Sequence, residues 1–131
     1  MTTFTNQIDL ISKRLKIVLI EDNSELAKWL SDKIDGFEKL EIAGNAKTYK
    51  GAYEMITNLN PELVILDLKL PDGSGIDILK KIRNAKLNIK VMVLTMNIQA
   101  SNVCLRMGAD YFFDKSKDID ILLEKLKSFD G

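Results

Sequence analysis

Five residues with chemical potential stand directly against apolar stretches. Glu21 and Asp22 follow Lys16-Ile17-Val18-Leu19-Ile20, Asp67 follows Leu63-Val64-Ile65-Leu66, Thr95 ends Val91-Met92-Val93-Leu94, and Lys115 comes just past Tyr111-Phe112-Phe113. The chain has no histidine and one cysteine, Cys104. That removes Ser-His-Asp and Cys-His catalysis and the usual zinc sites. Any metal must therefore be held by oxygen ligands.

If the three acids converge, they repel. Two carboxylates about 4 Å apart cost roughly 4 kcal/mol at an effective dielectric near 20. Lys115 supplies one compensating charge, and a residual of about two negative charges suits a divalent cation. Oxygen-only ligands point to Mg²⁺, which keeps several waters and shares its remaining positions with phosphate. The alternative is that one acid is protonated or turned away. A divalent ion beside a carboxylate, a lysine and a hydroxyl describes a phosphoryl site. The cations neutralise the equatorial oxygens while an aspartate oxygen attacks in line. Asp67 is the best-placed nucleophile, at the end of the third, central strand and before a tight turn, and its product would be a labile acyl phosphate.

The elements that must position these groups are legible in the pattern. The three apolar runs lack alternation, as expected of strands covered on both faces of a parallel sheet. Leu40-Glu41-Ile42-Ala43 and Tyr111-Phe112-Phe113 are weaker strand candidates. Between them lie helical stripes: Leu26, Trp29, Leu30 and Ile34, capped by Asn23 or Ser24; Ala52, Tyr53, Ile56 and Leu59, stopped at Asn60-Pro61; Ile76, Leu79 and Ile82; Ile98, Val103, Leu105 and Met107; and Ile119, Leu122, Leu123 and Leu126. Strand then helix, five times over, predicts an α/β fold with a five-stranded parallel sheet and helices on both faces, a flavodoxin-like doubly wound arrangement. In such a sheet ligands bind at the carboxyl ends of the strands, where the five polar residues stand.

Composition agrees. The 131 residues predict one domain, with 46% hydrophobic residues and 19 basic against 19 acidic. A net charge of zero argues against a general nucleic-acid or membrane-surface binder. No apolar run approaches the roughly 18 residues of a membrane helix, and a lone cysteine suits a reducing cytoplasm. Trp29 and Cys104 read as core residues. Residues 1–14 precede the first strand and read as a tail, although Phe4, Ile8, Ile11 and Leu15 have the spacing of an amphipathic turn or two.

Four motifs in order then carry a resemblance: Leu19-Ile20-Glu21-Asp22-Asn23; Pro61-Glu62-Leu63-Val64-Ile65-Leu66-Asp67-Leu68-Lys69-Leu70-Pro71-Asp72-Gly73-Ser74-Gly75; Val93-Leu94-Thr95; and Gly108-Ala109-Asp110-Tyr111-Phe112-Phe113-Asp114-Lys115. Residues 15–129 resemble a response-regulator receiver domain of two-component signalling. The resemblance implies that Asp67 accepts a phosphoryl group from a phosphohistidine on a sensor histidine kinase or phosphotransfer protein. It implies that Asp22 ligates Mg²⁺ directly, Glu21 through water, with Asp67 and the backbone carbonyl of Lys69 completing the protein ligands. Lys115 would pair with a phosphoryl oxygen, the Thr95 hydroxyl would bond another, and Phe112 would rotate inward, reshaping the surface around the fourth helix, fifth strand and fifth helix. That is a two-state equilibrium biased by a local charge change.

Several positions depart from the family pattern. Glu21 replaces the commoner aspartate, Ser116 the proline that often follows the lysine, and Phe112 the commoner tyrosine. Without that proline the Lys115–Ser116 peptide is expected to be trans. Met96 replaces a small residue after Thr95; with Lys69 and Asn97 it flanks the opening and is expected to set the phosphorylated lifetime. The function expected is a stand-alone, phosphorylation-controlled binding module. It is not an enzyme beyond self-phosphorylation and autodephosphorylation, and its output is a contact with a downstream protein, with a phosphorylation-dependent dimer allowed. The alternatives are a relay intermediate passing phosphate onward, and the receiver of a transcriptional regulator with a missing or separate DNA-binding domain. A flavin binder or small-molecule phosphohydrolase would need a phosphate loop or a general base that the sequence lacks.

Overall fold

The computed structural model describes residues 14–130. Five strands, β1 (Leu15–Ile20), β2 (Leu40–Ala46), β3 (Leu63–Leu66), β4 (Lys90–Thr95) and β5 (Tyr111–Asp114), form one parallel sheet in the order β2-β1-β3-β4-β5. Five helices alternate with them: α1 (Ser24–Asp35), α2 (Tyr49–Leu59), α3 (Gly75–Asn84), α4 (Ser101–Arg106, after a 3₁₀ turn at Ile98–Ala100) and α5 (Ile119–Asp130). The doubly wound α/β expectation therefore holds. The second strand runs three residues further than its weak apolar signal, through a bulge that shifts register between Ile17 and Val18. The loop after β3 closes as a small antiparallel hairpin pairing Lys69 with Ser74 and Leu70 with Gly73.

The apolar runs split by parity. Val18, Ile20, Val64, Leu66, Val91 and Val93 face α2, α3 and α4, whereas Ile17, Leu19, Ile65, Met92 and Leu94 face α1 and α5. Strand residues of both parities are apolar because both faces are covered, and each buried aliphatic side chain contributes roughly 1.5–3 kcal/mol. The helices start where short polar side chains satisfy orphan N–H groups: Asn23 accepts from Leu26, Thr48 from Gly51 and Ser74 from Ile76. α2 stops at Asn60, in the left-handed region at φ 48°, just before Pro61.

Two sequence expectations are corrected. Trp29 is not core: it is 42% exposed, with the Lys33 ammonium 5.4 Å from its ring centroid. The buried stripe of α1 is Ala27, Leu30 and Ile34, and a residue one before Leu30 lies about 100° round the helix from it. Most of the stripe expected in the fourth helix also faces outward: Ile98, Val103 and Leu105 are exposed, Met107 alone of the four packs half-buried against the core, and the buried residues are Ala100 and Cys104. The buried i, i+4 pair has small side chains, and the larger Ile98, Val103 and Leu105 are left outside. Cys104 is core as expected, and burial pushes its thiol up. The Lys115–Ser116 peptide is trans. The turn or two considered around Phe4, Ile8 and Ile11 lies outside the described residues.

Candidate functional site

Three ladder bonds continue one residue past the strands and set the site's level. Glu21 N–H donates to Ala46 O at 2.9 Å, Asp67 N–H to Ile20 O at 3.0 Å, and Lys115 N–H to Thr95 O at 2.9 Å. Because Ile20 pairs with Leu66 and Leu66 with Val93, the residues that follow reach the same edge of the sheet. The edge lies where β1 turns back to β2 on one side and the chain continues from β3 on the other, the crevice expected of this strand order.

A cleft of about 740 Å³ opens there. Glu21, Asp22, Asp67, Lys69, Thr95, Met96, Asn97 and Lys115 all line it. Carboxylate oxygens of Glu21, Asp22 and Asp67 lie within 4.8 Å of one another. Glu21, Asp67 and Thr95 are buried; Asp22 is exposed. Lys115 Nζ donates to Asp67 Oδ2 at 2.6 Å and pairs with Glu21 Oε1 at 2.8 Å. Asp67 Oδ1 accepts from the Lys69 N–H at 3.3 Å, and Glu21 Oε2 from the Asn23 N–H at 3.0 Å. The Thr95 hydroxyl oxygen accepts from the Asn97 N–H at 3.3 Å. Phe112 is not at the cleft. Half-buried on β5, opposite Val93, it packs against the core on the α3 and α4 side.

Burial pushes the Glu21 carboxyl above the usual range, and its contacts with Lys115 and Asn23 recover only part of that. For Lys115 burial acts to depress the ammonium, but the bonds to Asp67 and Glu21 outweigh it and its pKa stands raised. Two carboxylates held by one ammonium, with a third beside them, form a cluster of hard oxygen donors short of positive charge. That donor set fits a small divalent cation of the Mg²⁺ kind.

Two contributors escaped the sequence reading. The Asn23 backbone N–H fixes the orientation of Glu21, a contact no sequence pattern announces. Asn45 lies within β2 and its amide donates to Leu19 O at 3.0 Å, steadying the backbone that leads into Glu21. Asn45 lies past the Leu40-Glu41-Ile42-Ala43 stretch that the sequence marks as strand, so no sequence signal pointed to it.

Residues 17–127 match the family model of the response regulator receiver domain. A protein-glutamate methylesterase/protein-glutamine glutaminase of Geobacillus kaustophilus is 29% identical over 119 residues, which cover 88% of this chain and 34% of that protein. The chain spans about a third or less of the length of the curated relatives it matches. Among solved structures, a LuxR-family DNA-binding response regulator from Staphylococcus aureus superposes with a TM-score of 0.80 at 25% identity, covering 89% of this chain and 99% of that one. A CheY-like response regulator receiver domain protein from Methanospirillum hungatei gives 0.77 at 26% identity, covering 89% and 94%.

Proposed function

The chain belongs to the response regulator receiver domain family, and from that premise we propose that Asp67 is its phosphoacceptor. It is a phosphorylation-controlled regulator of two-component signalling. The observation that carries the assignment is the arrangement around Asp67: Lys115 at 2.6 Å, and carboxylates of Glu21 and Asp22 within 4.8 Å.

Residues 15–129 make up the working domain in this reading. Asp22, Asp67 and the Lys69 carbonyl would hold Mg²⁺, with Glu21 acting through water. When bound, the ion neutralises charge on the phosphoryl oxygens. An Asp67 carboxylate oxygen forms the new bond to phosphorus, the phosphorus–nitrogen bond of a phosphohistidine breaks, and the electron pair returns to the imidazole of the donor. Because this chain has no histidine, the donor is a partner, a sensor histidine kinase or a phosphotransfer protein. Lys115 passes from the Asp67 carboxylate to a phosphoryl oxygen as charge builds there. The Thr95 hydroxyl bonds another, and Phe112 turns inward from its half-buried position. Met96, Asn97 and Lys69, all exposed at the cleft, govern access of water to the acyl phosphate. The output is a changed surface read by a downstream protein, and the chain performs no further catalysis. The reading places it in the cytoplasm; none of the described helices is long and apolar enough to cross a membrane.

Intact-mass measurement after incubation with acetyl phosphate, with and without Mg²⁺, tests the assignment. One phosphoryl group should be gained with Mg²⁺ alone and none by Asp67→Asn. An equal gain by the Asp67→Asn variant would move the acceptor elsewhere, and no gain by the wild-type chain would overturn a phosphorylation-dependent role.

A further inference from the structure

The first turn of a helix leaves N–H groups that its own backbone cannot satisfy. In α2 those of Tyr49, Lys50 and Gly51 have identifiable partners, and for two of the three the partner comes from far along the chain. Thr48 serves its own helix, its hydroxyl accepting from the Gly51 N–H at 3.0 Å while its carbonyl takes the first regular helical bond, from the Ala52 N–H at 2.9 Å. The Tyr49 and Lys50 N–H groups donate instead to Asp72, to Oδ1 at 2.6 Å and Oδ2 at 3.2 Å. Asp72 sits at the turn of the Lys69–Ser74 hairpin, the same hairpin whose Lys69 N–H holds Asp67 Oδ1. Its neighbour Gly73 lies against the Tyr49 side chain, where an added Cβ would come within 3.1 Å of the ring carbon Cγ. From α3, the Lys81 ammonium stands 5.0 Å from the ring centroids of both Tyr49 and Tyr53.

A carboxylate against the positive end of a helix is well placed, and one that takes two adjacent N–H groups has a fixed orientation. Asp72 is exposed, so burial contributes little to its hold on the loop. Leu70 anchors the base of this hairpin in the core, and the two bonds with the Tyr49 contact tie its tip to α2.

We propose that Asp72 is a positioning residue for the phosphoryl site: it latches the Lys69–Ser74 hairpin to the first turn of α2 and so fixes the Lys69 backbone beside Asp67. The inference rests on the functional reading above, in which the Lys69 carbonyl is a metal ligand. Released from α2, the hairpin lets that carbonyl and the Lys69 N–H wander, and the site binds Mg²⁺ less well. Linkage makes the effect reciprocal, so that filling the site tightens the Tyr49 and Lys50 amides.

The test uses the full chain and three variants. Asp72→Ala removes the latch, Asp72→Asn keeps an acceptor oxygen without the charge, and Thr48→Ala weakens the same helix end without touching the hairpin. Mg²⁺ titration by calorimetry should show the dissociation constant of Asp72→Ala raised roughly tenfold, the scale on which supporting partners of metal ligands act. Asp72→Asn should fall between it and wild type, and Thr48→Ala should match wild type despite its lower stability. Hydrogen exchange at the Tyr49 and Lys50 amides should slow on Mg²⁺ addition in the wild type and not in Asp72→Ala. Wild-type affinity in Asp72→Ala, or an equal loss in Thr48→Ala, would overturn the proposal. A wild-type chain that binds no Mg²⁺ overturns the functional reading instead. The latch is then decided without metal, by whether exchange at the Lys69 amide quickens in Asp72→Ala and stays unchanged in Thr48→Ala.

Discussion

The Lys115 ammonium lies 2.6 Å from Asp67 Oδ2, an ion pair that spans the ends of two strands separated by β4. The pair is nearly shielded from water, and the same ammonium reaches Glu21, just past the end of β1, at 2.8 Å. Without a metal, Lys115 is therefore the main counterweight to two buried carboxylates.

Replacing that lysine should expose the imbalance. Lys115→Met is expected to lower metal-free stability by about 1–3 kcal/mol, less than a fully buried pair because the lysine keeps some solvent contact. Mg²⁺ should then stabilise the variant more than the wild type, because it restores the missing positive charge. Thermal unfolding with and without Mg²⁺ measures both effects. A variant that melts at the wild-type temperature in metal-free buffer would show that Lys115 balances nothing.

Glu21 gives a dependence on pH. Burial raises its carboxyl above the ordinary value of 4.5, so the ionised form is disfavoured in the folded chain. A raised folded value contributes stability below the unfolded value, and that contribution is lost as pH rises through the folded one. Glu21→Gln should therefore unfold at a higher temperature than wild type at neutral pH without metal, and the gain should vanish below about pH 4.5. Calorimetric scans across that range decide it; a neutral-pH loss would mean the Lys115 contact dominates.

Gly75 abuts the backbone of the phosphoacceptor. A Cβ at Gly75 would press into the Asp67 carbonyl and stand 2.9 Å from Leu68 Cα, backbone atoms that cannot swing aside. Gly75→Ala is expected to cost about 1–3 kcal/mol through overpacking, and to slow phosphorylation by displacing Asp67. Urea unfolding and the acetyl phosphate reaction, run side by side, report the two effects. Unchanged phosphorylation in a destabilised variant would separate the packing from the site.

Met96 is 64% exposed at the mouth of the cleft, close to where water must approach an acyl phosphate on Asp67. Met96→Ala should shorten the phosphorylated lifetime, followed as decay of the phosphorylated mass after acetyl phosphate is removed. An unaltered decay would leave Met96 as a surface residue with no part in the lifetime.

Most of the fold was legible because its signals are local. Ile17 to Ile20, Leu63 to Leu66 and Val91 to Leu94 are apolar at every step, which only a strand covered on both faces requires. Asn23 and Asn60-Pro61 marked a helix start and a helix end through chemistry that acts within three or four residues. The polar residues at the strand ends followed from the same reasoning, since a parallel sheet carries them to one edge.

What the tertiary structure alone decided depends on partners distant in sequence. A helical stripe shows which residues share a face but not what packs opposite. Trp29 and the stripe of Ile98, Val103 and Leu105 therefore read as core, although the sheet is met by Ala27 with Leu30 and by Ala100 with Cys104. The division of Lys115 between Asp67 and Glu21, and the reach of Asp72 across 23 positions to α2, arise when separate strand ends and loops arrive at one place. Periodicity is a property of one segment; burial and charge pairing belong to the segments that meet.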